Sequence, residues 1–519
     1  LEAKTLIKQL PMENMSVNLA DYQHGSGFGD SAMNQANLST EQLSELNKAL
    51  EAGQLQGGDL TGDQSSGGAL KTESLESSLK LITFKESDIR FWKRFPKSAA
   101  FNTVEEYNQL TSYGTDRGGF NNEGELPEEE DSNYIRKAEH VKYLGVTKSV
   151  THQMQLVNTN IGSVIQRETT NGIMWILRKA DRALFHGDSE VVGQEWNGLY
   201  AQHMNNDQYA NLDEYMDSDL VIDLRGKTLK QTDLERGSQT LLNKFAQADL
   251  LVAPPVVLSD FATGFYDKQR VMLGSGANNT NTTSGQHMSN FQSMYGKIEF
   301  EYDIFAAKSP AKLPSANATS PKAPSAPTAD GTAPATVITS DGSSKFADGK
   351  GDYFYGVAAM NRYGESAIAQ IGGTVTVANN DDSVDLKFAA TAGPYQPNAY
   401  IIFRSKVNPG TAFANTPMSP IIVIPATGND VKRGSLANGV DGGAAGIVRD
   451  RNRYLPGTQD SLLLQADTDV IEFKQLAPLM KMPLAKLSPA DRFMVLLYGT
   501  PIVYAPSKMV RYINIGREF

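Results

Sequence analysis

The most regular apolar pattern in the chain runs through TNIGSVIQRETTNGIMWILRKADRALFHGD. There Ile161, Ile165, Ile173, Ile176, Ala180 and Leu184 recur at helical spacings while Arg and Glu take the other faces. No proline interrupts it and Gly187 follows as a stop. The pattern predicts a helix over about 159–186, with Ile165, Ile173 and Ile176 in the core. At 1.5 Å per residue it would be roughly 40 Å long, a spine more than a packing unit. A second helical pattern, QTDLERGSQTLLNKFAQAD, opens with Thr232 and Glu235 placed as a capping box. It leads into LLVAPPVVLS, which reads as buried strand. Before the spine, VEEYNQLTSYG and NYIRKAEHVKYLGVTKSVTHQMQL read as two extended limbs. Val141, Tyr143, Val146 and the β-branched run near Val150 favour strand, and Gly145 suggests a bulge. The limbs make a long hairpin over about 104–156, too polar to be a core element.

Elsewhere the pattern loosens. Residues 1–77 read as an extended acidic arm, with nine acids against three bases in the first 70 positions. Its one helical pattern is STEQLSELNKALEAG, where Leu43, Leu46 and Leu50 share a face and Ser39 precedes as a cap. Near Ser309 a Pro/Ala/Ser/Thr-rich stretch reads as a stalk. Beyond it GDYFYGVAAMNRYG, TVTVAN, VDLKFAAT, AYIIFRS and PIIVIP are short strands separated by turns, the signature of a β-sandwich. After GSLANGVDGGAAG, mixed helix and strand resume to the C-terminus. The fold class is therefore α+β, with a separately folded sandwich at 309–430 inserted between the two parts of one domain, 78–308 and 431–519.

At 519 residues, two or three units are expected. Forty per cent hydrophobic and 21% charged residues describe a folded, water-soluble chain, and no apolar run approaches the roughly 18 residues of a membrane span. The start, LEAKTLIKQLPMEN, has neither the basic flank nor the apolar core of an export signal. The absence of an initiator Met points to truncation or processing. Without cysteine there are no disulfides, thiolate metal sites or cysteine nucleophiles. The net charge of −11 argues against a general nucleic-acid coat.

Candidate chemistry is sparse. The histidines at 24, 140, 152, 186, 203 and 287 form no HExxH and no i,i+4 pair. RGKT, Arg225 to Thr228, resembles the tail of a phosphate loop, but Val221 stands where its first glycine is required. HGSGFGD lacks a flanking strand and helix, and GxSxG is absent. RGGFNNEGELPEEED gathers Glu123, Glu125, Glu128, Glu129, Glu130 and Asp131, yet Pro127 and the adjacent acids break the alternation a calcium loop needs. Among 59 acids, a close carboxylate pair is no glycosidase signal either. The residues point to no catalytic site, no metal and no cofactor. A basic run, Lys85, Arg90, Lys93, Arg94 and Lys97, precedes the hairpin.

The closing run PLAKLSPADRFMVLLYGTPIVYAPSKMVRYINI resembles the end of major capsid proteins of tailed double-stranded DNA bacteriophages, which have the Hong Kong 97 fold. QHMSNFQSMYGKIEFEYDIF is similar to the family's segment leading into the axial domain. The resemblance covers about 78–308 and 455–519, in pattern and order. It implies that the hairpin is the extended E-loop and the long helix the spine of the peripheral domain. The segments near LVAPPVVLS and the C-terminus would build the axial domain. Within the insert, YFYGVAAMNRYGESA resembles a fibronectin type III or immunoglobulin-like module, expected as a knob on the outer face of a shell. The family further implies hexamers and pentamers of an icosahedral shell, assembled in the host cytoplasm and enclosing double-stranded DNA without sequence specificity or a membrane. Scaffold, maturation protease, portal and decoration proteins are the implied partners, and proteolytic loss of an N-terminal segment would suit a chain beginning at Leu1. In such a shell the charged tip would lie over a neighbouring subunit, with Lys85 to Lys97 as one candidate partner. A cell-surface adhesin or S-layer protein is the rival reading, suggested by the β module and its stalk. A carbohydrate-active enzyme with an accessory module is a third, lacking a catalytic pair. Electron microscopy of the purified protein separates them.

Overall fold

A computed structural model of the chain describes residues 82–114, 119–126, 129–157, 162–264, 288–315, 317–426, 431–434, 446–486 and 488–517. The predicted arm helix behind Ser39 and the HGSGFGD turn lie outside them.

The first elements are the short helix α1 (Phe91–Arg94), strand β1 (Lys97–Ala99) and the hairpin β2 (Val104–Ser112) and β3 (Asn133–His140). Strand β4 (Lys142–Thr151), helix α2 (His152–Leu156) and the long helix α3 (Val164–His186) follow. The second extended limb is thus two strands in two sheets. β3 pairs with β2, whereas β4 leaves the hairpin at Val141 and joins a four-stranded sheet. Gly145 makes no bulge, since β4 keeps unbroken register with its neighbour from Lys142 to Thr151.

The spine has 23 residues, about 35 Å. Ile176 is fully buried, while Ile165 and Ile173 are half-buried against the same core. Ile161 lies outside the described residues. Gly172 lets the helix settle onto the sheet: a Cβ there would stand 3.1 Å from Val495 Cγ2, with Val146 and Lys148 next.

Then come α4 (Leu199–Met204), α5 (Leu212–Met216), β5 (Val221–Asp223), α6 (Gln231–Asn243), β6 (Leu250–Ala253), α7 (Pro255–Thr263), β7 (Asn290–Ser293) and β8 (Gly296–Tyr302). Helix α6 is capped two residues earlier than its sequence suggests, at Lys230 and not Thr232. The Lys230 amide donates to the Asp233 carboxylate (2.9 Å), while Glu235 accepts from Ser293 Oγ (2.8 Å). PVVLS is helix, not strand. Consecutive prolines withdraw two ladder donors after Ala253, and a proline at the first turn of a helix loses nothing.

The insert contributes β9 (Thr328–Ala329), β10 (Ala335–Ile338), β11 (Gly351–Tyr353), β12 (Tyr355–Asn361), β13 (Gly364–Glu365), β14 (Ala369–Gln370), β15 (Val375–Val377), β16 (Ser383–Ala389), β17 (Ala399–Ser405), β18 (Met418–Pro425) and β19 (Gly446–Asp450). One sheet runs β10-β16-β19 and the other β13-β12-β17-β18, and both face a shared core of Tyr355, Val357, Leu386, Phe388, Tyr400 and Val448. Two expectations are corrected here. The sandwich extends past 430, because β19 pairs with β16 from Gly446 to Asp450. Its core is not its own either: Tyr209, Leu212, Tyr215, Met216, Val221 and Ile513 join the same cluster. The proline-rich stretch is no stalk. Lys312 bridges to Met418, Thr319 N donates to Glu365 O (2.9 Å), and Asn361 Nδ2 donates to Lys322 O (2.9 Å), so it is laid along the sandwich.

Four strands finish the chain: β20 (Gln459–Leu464), β21 (Ile471–Pro483), β22 (Ala490–Val503) and β23 (Met509–Ile515). β21 and β22 complete the sheet β1-β21-β22-β4 under α3. β20 and β23 occupy the middle of a mixed sheet, β5-β23-β20-β6-β8-β7, which packs on α6 and α7 through Leu234, Leu241, Val257 and Phe261.

Candidate functional site

The hairpin β2/β3 has few apolar partners beyond its base. At the base, the Tyr107 ring meets Tyr504 edge-on at 5.1 Å and Gln109 Nε2 donates to the Tyr504 carbonyl. Lys137 pairs with Asp207 (2.8 Å) and Asn197 Nδ2 donates to Glu139 (3.4 Å). Burial raises the Glu139 carboxyl's pKa and, with Glu139 and Asp207 nearby, lifts the Tyr107 phenol to about 12. These groups line a polar cleft of about 370 Å³.

Beyond the base the hairpin projects. Glu123, Glu125, Glu129, Glu130 and Asp131 are all exposed at its tip, and Glu128 lies outside the described residues. Asn122 donates from its amide and its side chain to Glu125 Oε2 (3.2 and 2.9 Å), closing a small turn. Glu130 lies over Gly114, whose φ of 124° a side chain would strain. Tyr113, Phe120 and Leu126 stand almost fully exposed among the acids. Sequence reasoning passed over these three. The signal was there: large apolar residues in a polar, glycine-bearing loop have no core to enter, so they mark a surface awaiting a partner.

Among the described residues, the pairs formed by the basic run lie elsewhere in the chain. Arg90 pairs with Glu301 (2.7 Å), its guanidinium 4.0 Å from the Tyr302 ring. Arg94 pairs with Glu299 (2.5 Å), and Lys93 with Glu86 (3.1 Å). Lys97 donates to the carbonyls of Trp92 (2.6 Å) and Phe95 (3.1 Å), and burial lowers its pKa against the pull of Asp181. So four of these five cations hold the N-terminal turn onto β8 or onto itself.

A row of charges ties the insert to the domain. In RDRNRY, Arg449, Arg451 and Arg453 alternate to one side. Arg449 grips Asp385 with two bonds (2.7 and 2.9 Å). Arg451 spans Asp341 (2.8 Å) and Asp213 (2.5 Å), and Arg453 takes Asp217 (2.8 and 3.1 Å) and Asp213 (3.1 Å). On the other side Asp450 and Asn452 receive the buried Arg404 at 2.5 and 2.6 Å, and Tyr355 donates to Asp450 (2.9 Å). A second buried pair lies under the six-stranded sheet. Asp460 holds Arg511 (2.6 Å) and Lys308 (2.7 Å), which together outweigh burial and keep its pKa low. His203 Nε2 donates to Met509 O (3.0 Å), so its Nδ1 accepts from Tyr215 (2.9 Å). All of these groups are engaged in holding elements together.

Among the described residues no group of three or more acids and histidines is placed to hold a metal, and no helix is long and apolar enough to cross a membrane. RGKT is a turn, with Arg225 and Gly226 at φ 49° and 80° and the Arg225 guanidinium donating to the carbonyls of Asn452 and Lys345 (2.8 and 2.6 Å).

The order of projecting hairpin, long helix under a four-stranded sheet and mixed central sheet closed by the C-terminal strands is an α+β fold. No family profile matches the chain. The major capsid protein of Staphylococcus phage S25-3 is 26% identical over 456 residues, covering 86% of this chain and 90% of that protein. The putative major capsid protein of Enterococcus phage phiEF24C is 24% identical over 462 residues, 87% and 91% of the two chains. Among solved structures, that of Gordonia phage Cozz superposes with a TM-score of 0.40 at 10% identity, over 88% of this chain and 97% of that one. Over most of its length the chain is thus similar to proteins named major capsid protein in phages of Staphylococcus and Enterococcus.

Proposed function

We propose that this chain is the major capsid protein of a tailed phage, and that its copies form the shell of the virion. The observation that carries the reading is the 26% identity to a major capsid protein along 456 residues, a length that requires both parts of the domain and much of the insert to align. The fold suits the role. A hairpin with exposed Tyr113, Phe120 and Leu126 beside exposed carboxylates leaves surface that one chain does not bury. The activity is structural: hexamers and pentamers close an icosahedral shell around double-stranded DNA, held by packing and not by base contacts. Scaffold, maturation protease, portal and decoration proteins act on the same assembly.

The hairpin tip is the proposed contact. Glu123, Glu125, Glu128, Glu129, Glu130 and Asp131 of one copy meet cations of the next. Since Arg90, Lys93, Arg94 and Lys97 are already engaged within the chain, these four would receive the tip only by exchanging partners. Electron microscopy of the purified protein tests the whole reading. Closed shells or ring-shaped capsomers are expected. Monomers under all salt and concentration conditions, or flat sheets, would overturn it.

A further inference from the structure

Two buried carboxyls that the shell reading leaves unused face each other at the joint between three elements. Asp181 is on the last turns of α3 and Asp303 directly follows β8, and neither has any exposure to solvent. Asp303 is held as an acceptor. Its Oδ2 takes the Phe91 amide at the start of α1 (3.1 Å) and its Oδ1 takes the Phe305 amide (2.7 Å). Both oxygens of Asp303 thus already accept from backbone amides. Asp181 has a different setting: both its oxygens are buried without a hydrogen-bond donor, beside the Asp303 carboxyl. The cation facing the pair is Lys97, whose ammonium is already donating to the Trp92 and Phe95 carbonyls. From α4, Tyr200 faces Asp303 with a neutral phenol, its pKa raised by burial and then by Asp460. Phe91, whose amide Asp303 receives, belongs with Trp92, Phe185 and Phe473 to one buried apolar cluster.

Two charged carboxylates cannot share so dry a place. We infer that Asp181 and Asp303 form a proton-held joint, in which one proton on Asp181 is donated to Asp303 and locks α3 to the N-terminal turn and to the strand leading into the insert. Loss of that proton to solvent leaves two like charges in contact and drives the joint apart. Burial first, and then the charge of Asp303, push the Asp181 carboxyl up to about 9. The folded value is raised above the ordinary 3.8, so the stabilisation is complete below about pH 4 and is lost as pH rises toward about 9. The chain takes up one proton at this joint when it folds at neutral pH.

The test is urea unfolding of the full chain between pH 6.5 and 9, wild type against Asp181→Asn. Asparagine keeps the shape and the donor to Asp303 without needing a proton. In the wild type this joint raises the unfolding equilibrium constant about tenfold per pH unit across that window. Asp181→Asn should remove that tenfold slope and leave the variant more stable than wild type at pH 8.5. Equal slopes for the two proteins would overturn the inference. A second measurement does not depend on the variant folding. Infrared spectra of the wild type at pH 8, where ordinary carboxyls are ionised, should show one protonated-carboxyl band that disappears as the pH passes about 10. Its absence at pH 8 would overturn the inference equally.

Discussion

Among the described residues Arg404 is the largest side chain with essentially no exposure, and it lies on β17 of the sandwich. Burial works against its charge, but Asp450 at 2.5 Å, with Tyr355 and Tyr353, more than restores it, and the rings of Phe346 and Tyr353 lie 5.4 and 5.2 Å away. Removing one partner from such a pair is worse than removing both, because the survivor stays charged in a dry site. Arg404→Met should therefore cost about 3–5 kcal/mol, whereas Arg404→Met combined with Asp450→Asn should recover part of that loss. Urea midpoints of the three proteins would show it, and a double variant no better than the single one would contradict the account. None of this was visible in AYIIFRS, which reads as an apolar strand ending in a polar residue. The alternation in RDRNRY was visible and passed over: period-2 charges flanking a strand announce two polar faces, and only the fold supplies the acids that meet them.

At the scale of elements, Gly172 governs how α3 meets its sheet. A mid-helix glycine costs roughly 1 kcal/mol against alanine, so its presence needs a packing reason. That reason is Val495 Cγ2, 3.1 Å from where a Cβ would be, with Val146 and Lys148 behind it. Gly172→Leu should push the helix off β4 and β22 and cost about 1–3 kcal/mol, seen as a lower melting temperature with unchanged far-UV helix content. No loss would mean the helix is free to shift. The helix itself was legible, because 3.6-residue periodicity is a local property of the chain. The hairpin was legible from its alternation and its glycine-bearing tip. What escaped were features decided by distant partners. Gly145 reads as a bulge until β22 is seen to pair straight past it, and Thr232 and Glu235 read as a cap until Asp233 takes the role. The PVVLS segment is apolar enough for a buried strand, and two prolines decide otherwise. At the candidate site, the acidic tip was legible as an exposed charged loop, whereas the engagement of Arg90 and Arg94 by Glu301 and Glu299, some 205 or more positions away, was not.

For the whole molecule the insert is the decisive case. A separate knob could be cut away at no cost to the domain, and the composition of 309–430 suggests one. The shared core says otherwise, because excising 309–430 would uncover Tyr209, Leu212, Tyr215, Met216 and Ile513, strip β19 of its partner β16 and release Arg451 from Asp341. The shortened chain, bridged by Gly and Ser, should be recovered as aggregate or unfold several degrees lower, while a cut confined to the turn at Pro409–Thr411 should be harmless. Soluble shells from the shortened chain would restore the knob. The hairpin tip poses the opposite question, since its proposed partner is another copy of the chain. Glu123, Glu129 and Asp131 can be reversed without touching the Asn122–Glu125 turn or the Glu130–Gly114 contact that shape the tip. Each exposed pair is worth only about 0–1 kcal/mol, yet the proposed contact would repeat with every copy in a shell. Converting the three to Lys should leave the subunit's far-UV spectrum and melting temperature unchanged, and should lower shell yield or make shells fall apart at lower salt. If yield and salt resistance match the wild type, the carboxylates serve only to keep the tip hydrated, and Phe120 and Leu126 become the residues by which the hairpin finds its neighbour.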